Sequence, residues 1–227
     1  MKLAHPLLSS PIVFCENQIP VLVLENAAAF REFAVELLQQ SEGQEGAFVL
    51  SRADRCLDCA EHLNVFLDFL HPPELEKRLQ SKLITALLRE AQETLAGETL
   101  QFSRAVQEYM GKLAALADYP VAFEQSENLP ALLKAMDFRA DLSGLSACEA
   151  LLEQMTLLHS LAKDQCFVLV NAKAFFSAAE MEKLYKMARY RKLCLLLLEP
   201  RAETILPGEE IRLFDEDLCE LNLDSGP

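Results

Sequence analysis

The stretch that decides the fold is PVLVLEN, residues 20–26, together with the segment 27–40 that follows it. Five consecutive apolar residues predict a buried strand, and the apolar side chains after it recur at helical spacing. Asn26 stands at the junction, where its side chain can cap the helix. A second apolar run, residues 193–198, is typical of a strand that is covered on both faces of its sheet. These two runs predict an α/β layered structure.

Outward from these runs, alternation and helical spacing predict the other elements. Further strands are predicted at residues 47–50, where the strand could lie beside the first, and at 62–70, 166–170 and near Ile211. Helices are predicted from Pro72 and Pro73 to about residue 96, then at 102–117, 129–136, 146–162 and 178–190, with an extended segment at 138–142. Pro72 and Pro73 suit the first turn of a helix, where a missing amide donor is tolerated.

The order of these elements places the strands at the two ends of the chain and helices in the middle. We therefore expect one α/β head built from residues 1–71 and 166–227, with a helical leg inserted between them. The leg begins with residues 72–118, and residues 119–165 form a transition with further helices.

Composition limits the class of protein. The chain has 227 residues, of which 51% are hydrophobic, so it can bury a core and is not expected to be disordered. Its start resembles no leader peptide, and no apolar run approaches the length of a membrane span, so a cytoplasmic location without membrane attachment is predicted. The formal charge of −14 opposes contact with a polyanion unless basic residues gather on one face.

The seven cysteines are scattered through apolar stretches, which favours buried, reduced thiols over a disulfide framework. Cys56, Cys59 and His62 have a spacing that could supply three ligands to zinc, but a fourth ligand is not evident. A redox pair is disfavoured because neither cysteine follows a suitable βα turn. Structural thiols are the preferred interpretation.

Motifs for catalysis are weak. The seven glycines match neither the P-loop nor the Rossmann pattern, so a nucleotide enzyme would rest on the α/β topology alone. His159 lies on an amphipathic stretch, where a packed or rim position is more common than a catalytic one. Glu124 and Glu127 could bind a hard cation through oxygen ligands, although surface acids explain them equally.

Basic residues concentrate in one segment. Residues 166–192 carry six basic side chains against two glutamates, whereas residues 193–227 carry two against nine carboxylates. This asymmetry could give an acidic molecule one basic face, and a solvated helix face that balances nearby acids is an equal alternative.

Three segments, PVLVLEN (20–26), FVLVNAKAFFS (167–177) and LLLLEPR (195–201), resemble in order and spacing the matching segments of the type II-A CRISPR spacer-acquisition family, short branch. The resemblance extends to the helical middle and to the acidic segment 214–220. It implies a head related in topology to P-loop ATPases but without the phosphate loop, and a helical leg.

The resemblance also implies a function. Members form a homotetrameric ring that holds ends of linear double-stranded DNA, depends on calcium, has no established catalysis, and works beside the integrase proteins and the RNA-guided nuclease. Calcium ligands of the family would align with Glu124 and Glu127. The candidate DNA-binding residues are Lys173, Lys183, Lys186, Arg189, Arg191, Lys192, Lys134 and Arg139.

The leading hypothesis is therefore non-catalytic, sequence-independent binding of DNA ends through a ring during spacer acquisition. Inward-facing basic patches of four subunits could create a positive channel within a negative protein, because phosphate contacts need no base recognition. The alternative, motivated by the charge of −14, is an acidic scaffold that binds basic adaptation proteins and has no direct contact with DNA.

Overall fold

The computed structural model describes residues 1–53, 55–70, 73–124, 128–202 and 204–223. Within these residues the chain forms seven helices and two sheets, which confirms a mixed α/β fold. The chain divides into two compact units. We call Met1–Leu75 with Leu142–Pro227 the sheet unit, and Glu76–Asp141 the helical unit.

The strands are β1 (Lys2–Ala4), β2 (Ile12–Val13), β3 (Ile19–Leu24), β4 (Val49–Arg52), β5 (Arg55–Leu57), β6 (Leu63–Phe66), β7 (Cys166–Val170), β8 (Cys194–Glu199), β9 (Glu209–Phe214) and β10 (Glu220–Leu223). The helices are α1 (Ala27–Ser41), α2 (Cys59–His62), α3 (Pro73–Thr94), α4 (Ala96–Ala115), α5 (Leu129–Ala135), α6 (Ala147–Leu161) and α7 (Ala178–Tyr190).

The larger sheet has the strand order β10-β9-β3-β8-β7-β6. Only β10 is antiparallel to its neighbour, so β3, at the centre, pairs in parallel with both β8 and β9. Every residue of β3 and of β7 is buried, as the uninterrupted apolar runs predicted. The predicted strands at 166–170 and near Ile211 are confirmed as β7 and β9.

The two faces of this sheet are covered by different helices. Alternate strand residues, including Leu22 and Leu198, pack in one cluster with Phe33 and Leu37 of α1. The residues between them in the strands, such as Leu197, are also buried, and they point to the opposite face. We assign that face to α6 and α7, which contact each other and each bury an apolar stripe.

The smaller sheet corrects one prediction. Its order is β2-β1-β4-β5, and all of its pairs are antiparallel. The strand expected at 47–50 is β4, which begins at Val49 and lies in this sheet instead of beside β3. The position beside β3 does not exist, because β8 and β9 occupy both of its edges.

A second correction concerns residues 62–70, which were expected to form one strand. Asp58 caps the short helix α2, whose last residue is His62, so the strand β6 covers only Leu63–Phe66. After β6 the side chain of Asp68 accepts a hydrogen bond from the Leu70 amide, which turns the chain. Leu70 is 60% exposed and therefore does not continue the buried strand.

The helical unit contains α4, α5 and most of α3. The helix expected at 102–117 begins earlier, at Ala96, because only Leu95 interrupts the helical backbone after α3. No strand forms at 138–142, where an extended segment was expected, and Phe138 is exposed. The helix predicted at 146–162 is α6, which belongs to the sheet unit and not to an inserted leg.

Among the helices formed by the described residues, none combines the length and the apolar character that a membrane span needs.

Candidate nucleic-acid interface

Helix α7 carries most of the predicted basic residues and is firmly anchored. Ser177 caps its first turn, and the Ser177 hydroxyl and amide both donate to the Glu180 carboxylate, at 2.7 and 2.9 Å. The helix buries Met181, Leu184, Tyr185 and Ala188 against the sheet unit. Since this stripe fixes the rotation of the helix, the residues between its members are held towards solvent.

Lys183 and Lys186 are the exposed cations on the body of α7. They lie three residues apart and therefore project from adjacent positions of one helix face. Tyr190, one turn beyond Lys186, is 78% exposed and adds a flat aromatic surface to the same side. The sequence prediction of a basic face on this helix thus concerns side chains that are accessible.

The end of α7 positions the next three basic residues. Lys192 has a φ of 56°, and the amides of Lys192 and Leu193 donate to the carbonyls of Arg189 and Ala188. This pattern is a Schellman motif, which closes the helix with one residue in the left-handed conformation. Arg191 is exposed, whereas Lys192 forms an ion pair of 2.9 Å with Glu16, with both side chains 68% exposed. Such an exposed pair is weak, so Lys192 can exchange partners.

Lys173 differs from the other candidates. Its ammonium lies 2.8 Å from Glu209, and the two side chains are only 7% and 0% exposed. The Lys173 ammonium also donates to the Thr204 carbonyl, while the Tyr185 hydroxyl donates to Glu209 at 2.6 Å. Burial, followed by the Glu209 charge, raises the pKa of Tyr185 and keeps it protonated. Lys173 thus has a structural role in the sheet unit, and the basic-face hypothesis rests on the remaining residues.

The last two candidates lie in the helical unit. Lys134 is exposed on α5, and exposed Arg139 pairs with Asp137 at 3.2 Å. DNA binding by Lys134 and Arg139 remains a prediction, and it concerns the helical unit by itself.

The predicted cation ligands do not form a site in the described residues. Glu124 is exposed after α4, and Glu127 lies outside the described residues. Nowhere in the described part of the chain do three or more histidine, cysteine or carboxylate side chains come close enough to hold a metal ion. Because Glu127 lies outside the described residues, calcium binding through Glu124 and Glu127 stays a prediction.

The cysteine and histidine motif likewise forms no ligand set among these residues. Cys59 is buried, and burial raises the pKa of its thiol, whereas Cys56 is exposed on β5. His62 directs its Nδ1 to the carbonyl of Asp164 at 3.2 Å. All seven cysteines are free, as expected, but Cys15, Cys56 and Cys219 are exposed, so the expectation of buried thiols was wrong for these three.

The junction that follows β3 is closed by a helix cap. The side chain of Asn26 accepts hydrogen bonds from the amides of Ala28 and Ala29, at 3.1 Å each. These first-turn amides are the donors that bind phosphate in glycine-rich nucleotide loops. In this chain the helix cap occupies them, and the strand connects to α1 through only Glu25 and Asn26.

Sequence reasoning missed three further residues that surround the end of α7. Arg52 at the end of β4, His159 near the end of α6 and Lys163 in the following loop line one cleft together with Arg189 and Lys192. His159 and Lys163 are close in sequence, but Arg52 is distant from both, and only the fold brings it to them.

Comparison with known proteins now identifies the family. The profile described as CRISPR-associated protein (Cas_Csn2) matches residues 40–218, which is most of the chain. No curated protein is similar enough to the chain to count as a relative. The profile match confirms the family resemblance inferred from the three sequence segments. The chain therefore belongs to the Cas_Csn2 family, and its role is CRISPR-associated.

Proposed function

We propose that this protein binds ends of linear double-stranded DNA without recognising their sequence, as a homotetrameric ring that acts without catalysis of its own during spacer acquisition. The observation that carries this proposal is the accessible basic face of α7, where Lys183 and Lys186 project from a helix anchored in the core. A cluster of this kind can contact phosphates, which do not require base recognition.

The negative charge of the whole chain is the reason why the proposal includes assembly into a ring. A subunit with a formal charge of −14 repels DNA over most of its surface. A closed ring turns the same face of every subunit towards one axis, so four copies of a modest basic patch form a strongly positive channel. Membership of the CRISPR-associated family supports this choice over other uses of a basic helix.

The topology of the sheet unit supports the proposal that no nucleotide reaction takes place at the carboxyl edge of β3. We propose that the unit is related in topology to P-loop ATPases and has lost the phosphate loop. The parallel pairing of β3 with β8 and β9, and the short connection to α1, agree with this relationship. Asn26 bonds the helix amides that a nucleotide phosphate would need.

The first experiment measures size by light scattering, then binding of linear and covalently closed circular duplex at fixed low salt, with calcium and with chelator. A tetramer that prefers linear DNA is the expected result. The double variant Lys183→Glu with Lys186→Glu should weaken binding roughly tenfold or more and make the dependence of log affinity on log salt shallower, by about 0.9 for each lost phosphate contact.

The matched control is the double variant Lys2→Glu with Arg31→Glu. Both residues are exposed in the same unit, and Arg31 lies on α1, on the opposite face of the large sheet. The control changes the net charge equally and should leave the salt dependence unaltered. Equal effects of the two double variants would show that total charge, and not the α7 face, governs binding.

An acidic scaffold is the second candidate, and the charge of −14 favours it. In that case the protein binds the integrase proteins or the RNA-guided nuclease and touches DNA only through them. A purified sample that binds no duplex at low salt, with calcium or with chelator, would support the scaffold and contradict the ring.

A further inference from the structure

A cleft of about 590 Å³ lies within the sheet unit, at the amino ends of β3, β7 and β8. This edge is opposite to the carboxyl edge, where parallel α/β sheets usually bind their ligands. The volume lies within the range of small-molecule sites in proteins. The family resemblance does not account for this cleft.

The side chains that line the cleft carry more positive than negative charges, whereas the net charge of the whole chain is negative. Four basic side chains, Arg52, Lys163, Arg189 and Lys192, face two carboxylates, Glu16 and Asp164. The carboxylates are already engaged, since Asp164 pairs with Arg52 and Glu16 pairs with Lys192. Within the described residues Lys163 and Arg189 have no ion-pair partner. Two unpaired cations in one concave site are notable in a protein with a formal charge of −14.

Arg189 is held in the cleft by its surroundings. Its Nε donates to the Tyr185 carbonyl one turn earlier, at 3.4 Å. The guanidinium lies over Gly208, where an added Cβ would overlap it, and Gly208 has a φ of +87° that only glycine adopts without strain. Glycine at this position leaves room for the guanidinium, and within the described residues the terminal nitrogens of Arg189 donate to no other group.

His159 supplies a polar atom that lacks a partner. It lines the cleft, and its Nδ1 is buried without a hydrogen-bond partner in the described structure. Burial, followed by the Arg52 charge, lowers the pKa of His159, so the imidazole is neutral near pH 7. A buried polar atom without a partner is unusual and is commonly satisfied by water or by a ligand.

The lining also includes apolar side chains, among them Phe14, Ile19 and Leu193. A free inorganic ion would leave this surface unused, whereas a ligand with both an anionic group and a flat organic group would contact both parts. Arginine and lysine together favour phosphate, because the guanidinium binds two of its oxygens at once and the ammonium adds a point charge.

We propose that this cleft binds a phosphate monoester of nucleotide size, with Arg189 and Lys163 contacting the phosphate and His159 forming part of the cleft wall. Two sources share this chemistry, a free mononucleotide and the 5′-phosphate of a DNA end. The proposal stands on the cleft residues and does not require that the α7 face binds DNA.

The experiment titrates the purified full chain with deoxyadenosine 5′-monophosphate, with deoxyadenosine and with inorganic phosphate, by calorimetry. The monophosphate should bind, and the nucleoside should bind at least about tenfold more weakly because it lacks the charged group. Arg189→Gln and Lys163→Gln should each weaken monophosphate binding about tenfold. Lys163 is exposed, so its variant will fold even if Arg189→Gln does not.

Arg31→Gln is the control, because Arg31 is exposed on α1 and does not line the cleft. It should leave monophosphate affinity unchanged. Equal affinity for monophosphate and nucleoside, or equal loss in Lys163→Gln and Arg31→Gln, would overturn the proposal, as would no binding of the monophosphate.

A duplex arm then distinguishes the two sources. Linear duplex with 5′-phosphate or 5′-hydroxyl ends is compared in the native chain and in Lys163→Gln. If the native chain prefers phosphorylated ends and the variant does not, the terminal phosphate of DNA is the ligand. If both proteins bind the two duplexes equally while the monophosphate binds in the cleft, the ligand is a free nucleotide. If the double variant Lys183→Glu with Lys186→Glu loses duplex binding but still binds the monophosphate, the cleft and the α7 face are separate sites.

Discussion

The sheet unit and the helical unit use apolar side chains in opposite ways. Among the buried apolar residues of the described chain, only Leu79 and Ile84 belong to the helical unit. The helical unit instead exposes many large apolar side chains, among them Leu116 at 80% and Tyr119 at 72%. If these side chains form a contiguous patch, they mark an interaction surface. The contrast teaches that the sheet unit folds around its own core, whereas the helical unit has surface left for partners, as the proposed tetramer requires.

The largest expected effect is the loss of stability when the buried ion pair of the sheet unit is broken. Lys173→Met leaves the buried Glu209 carboxylate without the Lys173 charge, and we expect the free energy of unfolding to fall by about 3–5 kcal/mol. Urea unfolding followed by circular dichroism measures the loss. The double variant Lys173→Met with Glu209→Gln is the control. It removes the unpaired charge but keeps an acceptor for the Tyr185 hydroxyl, so it should recover much of the stability. A single variant as stable as the native chain would contradict a structural role for Lys173.

The next prediction compares how much stability is lost when one leucine of each unit is replaced by alanine. Leu198 in β8 is fully buried, and Leu198→Ala should lower the free energy of unfolding by about 2–5 kcal/mol through lost burial and the cavity that remains. Leu100 in α4 is 52% exposed, so Leu100→Ala should change it by about 0.5 kcal/mol or less. Thermal unfolding at low protein concentration compares the two. A large loss in Leu100→Ala that grows with protein concentration would show that Leu100 is covered in an oligomer.

The same contrast explains which parts of the fold could be predicted. Strands β3, β7 and β8 and helices α1, α6 and α7 each bury apolar side chains in the sheet unit, so burial imposes a clear apolar period on their sequences. Strands β1, β2 and β5 have only two or three residues each, which is too short for a period to be visible. β1 and β5 form by pairing with β4, and β2 forms by pairing with β1. Pairing partners of this kind are not encoded locally.

The candidate site shows the same limit. The basic face of α7 was predictable because Lys183 and Lys186 lie on one amphipathic helix. The burial of Lys173 was not, since its partner Glu209 lies 36 residues away on another strand. The cleft was not predictable either, because Arg52 at the end of β4 meets His159 and Lys163 near the end of α6 only in the folded chain.

The smallest expected effect concerns helix caps, which differ between a helix of the sheet unit and a helix of the helical unit. Helix α7 begins with the capping box of Ser177 and Glu180, whereas α4 has no side-chain cap at Leu95. Ser177→Ala should therefore lower the free energy of unfolding by about 1 kcal/mol at neutral pH. Ser160→Ala is the control, because Ser160 donates only to the Leu157 carbonyl near the end of α6.

The size of this effect should depend on pH. The hydrogen bonds from Ser177 lower the pKa of the Glu180 carboxyl in the folded state. A lowered folded pKa means that the unfolded chain binds the proton more readily, so the contribution of the box is complete above the ordinary glutamate pKa and is lost as pH falls through the lowered value. The difference in melting temperature between the native chain and Ser177→Ala should accordingly shrink in acid, while the difference for Ser160→Ala stays constant. A Ser177→Ala difference that is unchanged down to acid pH would mean that the hydroxyl caps the amide of Glu180 without support from its carboxylate.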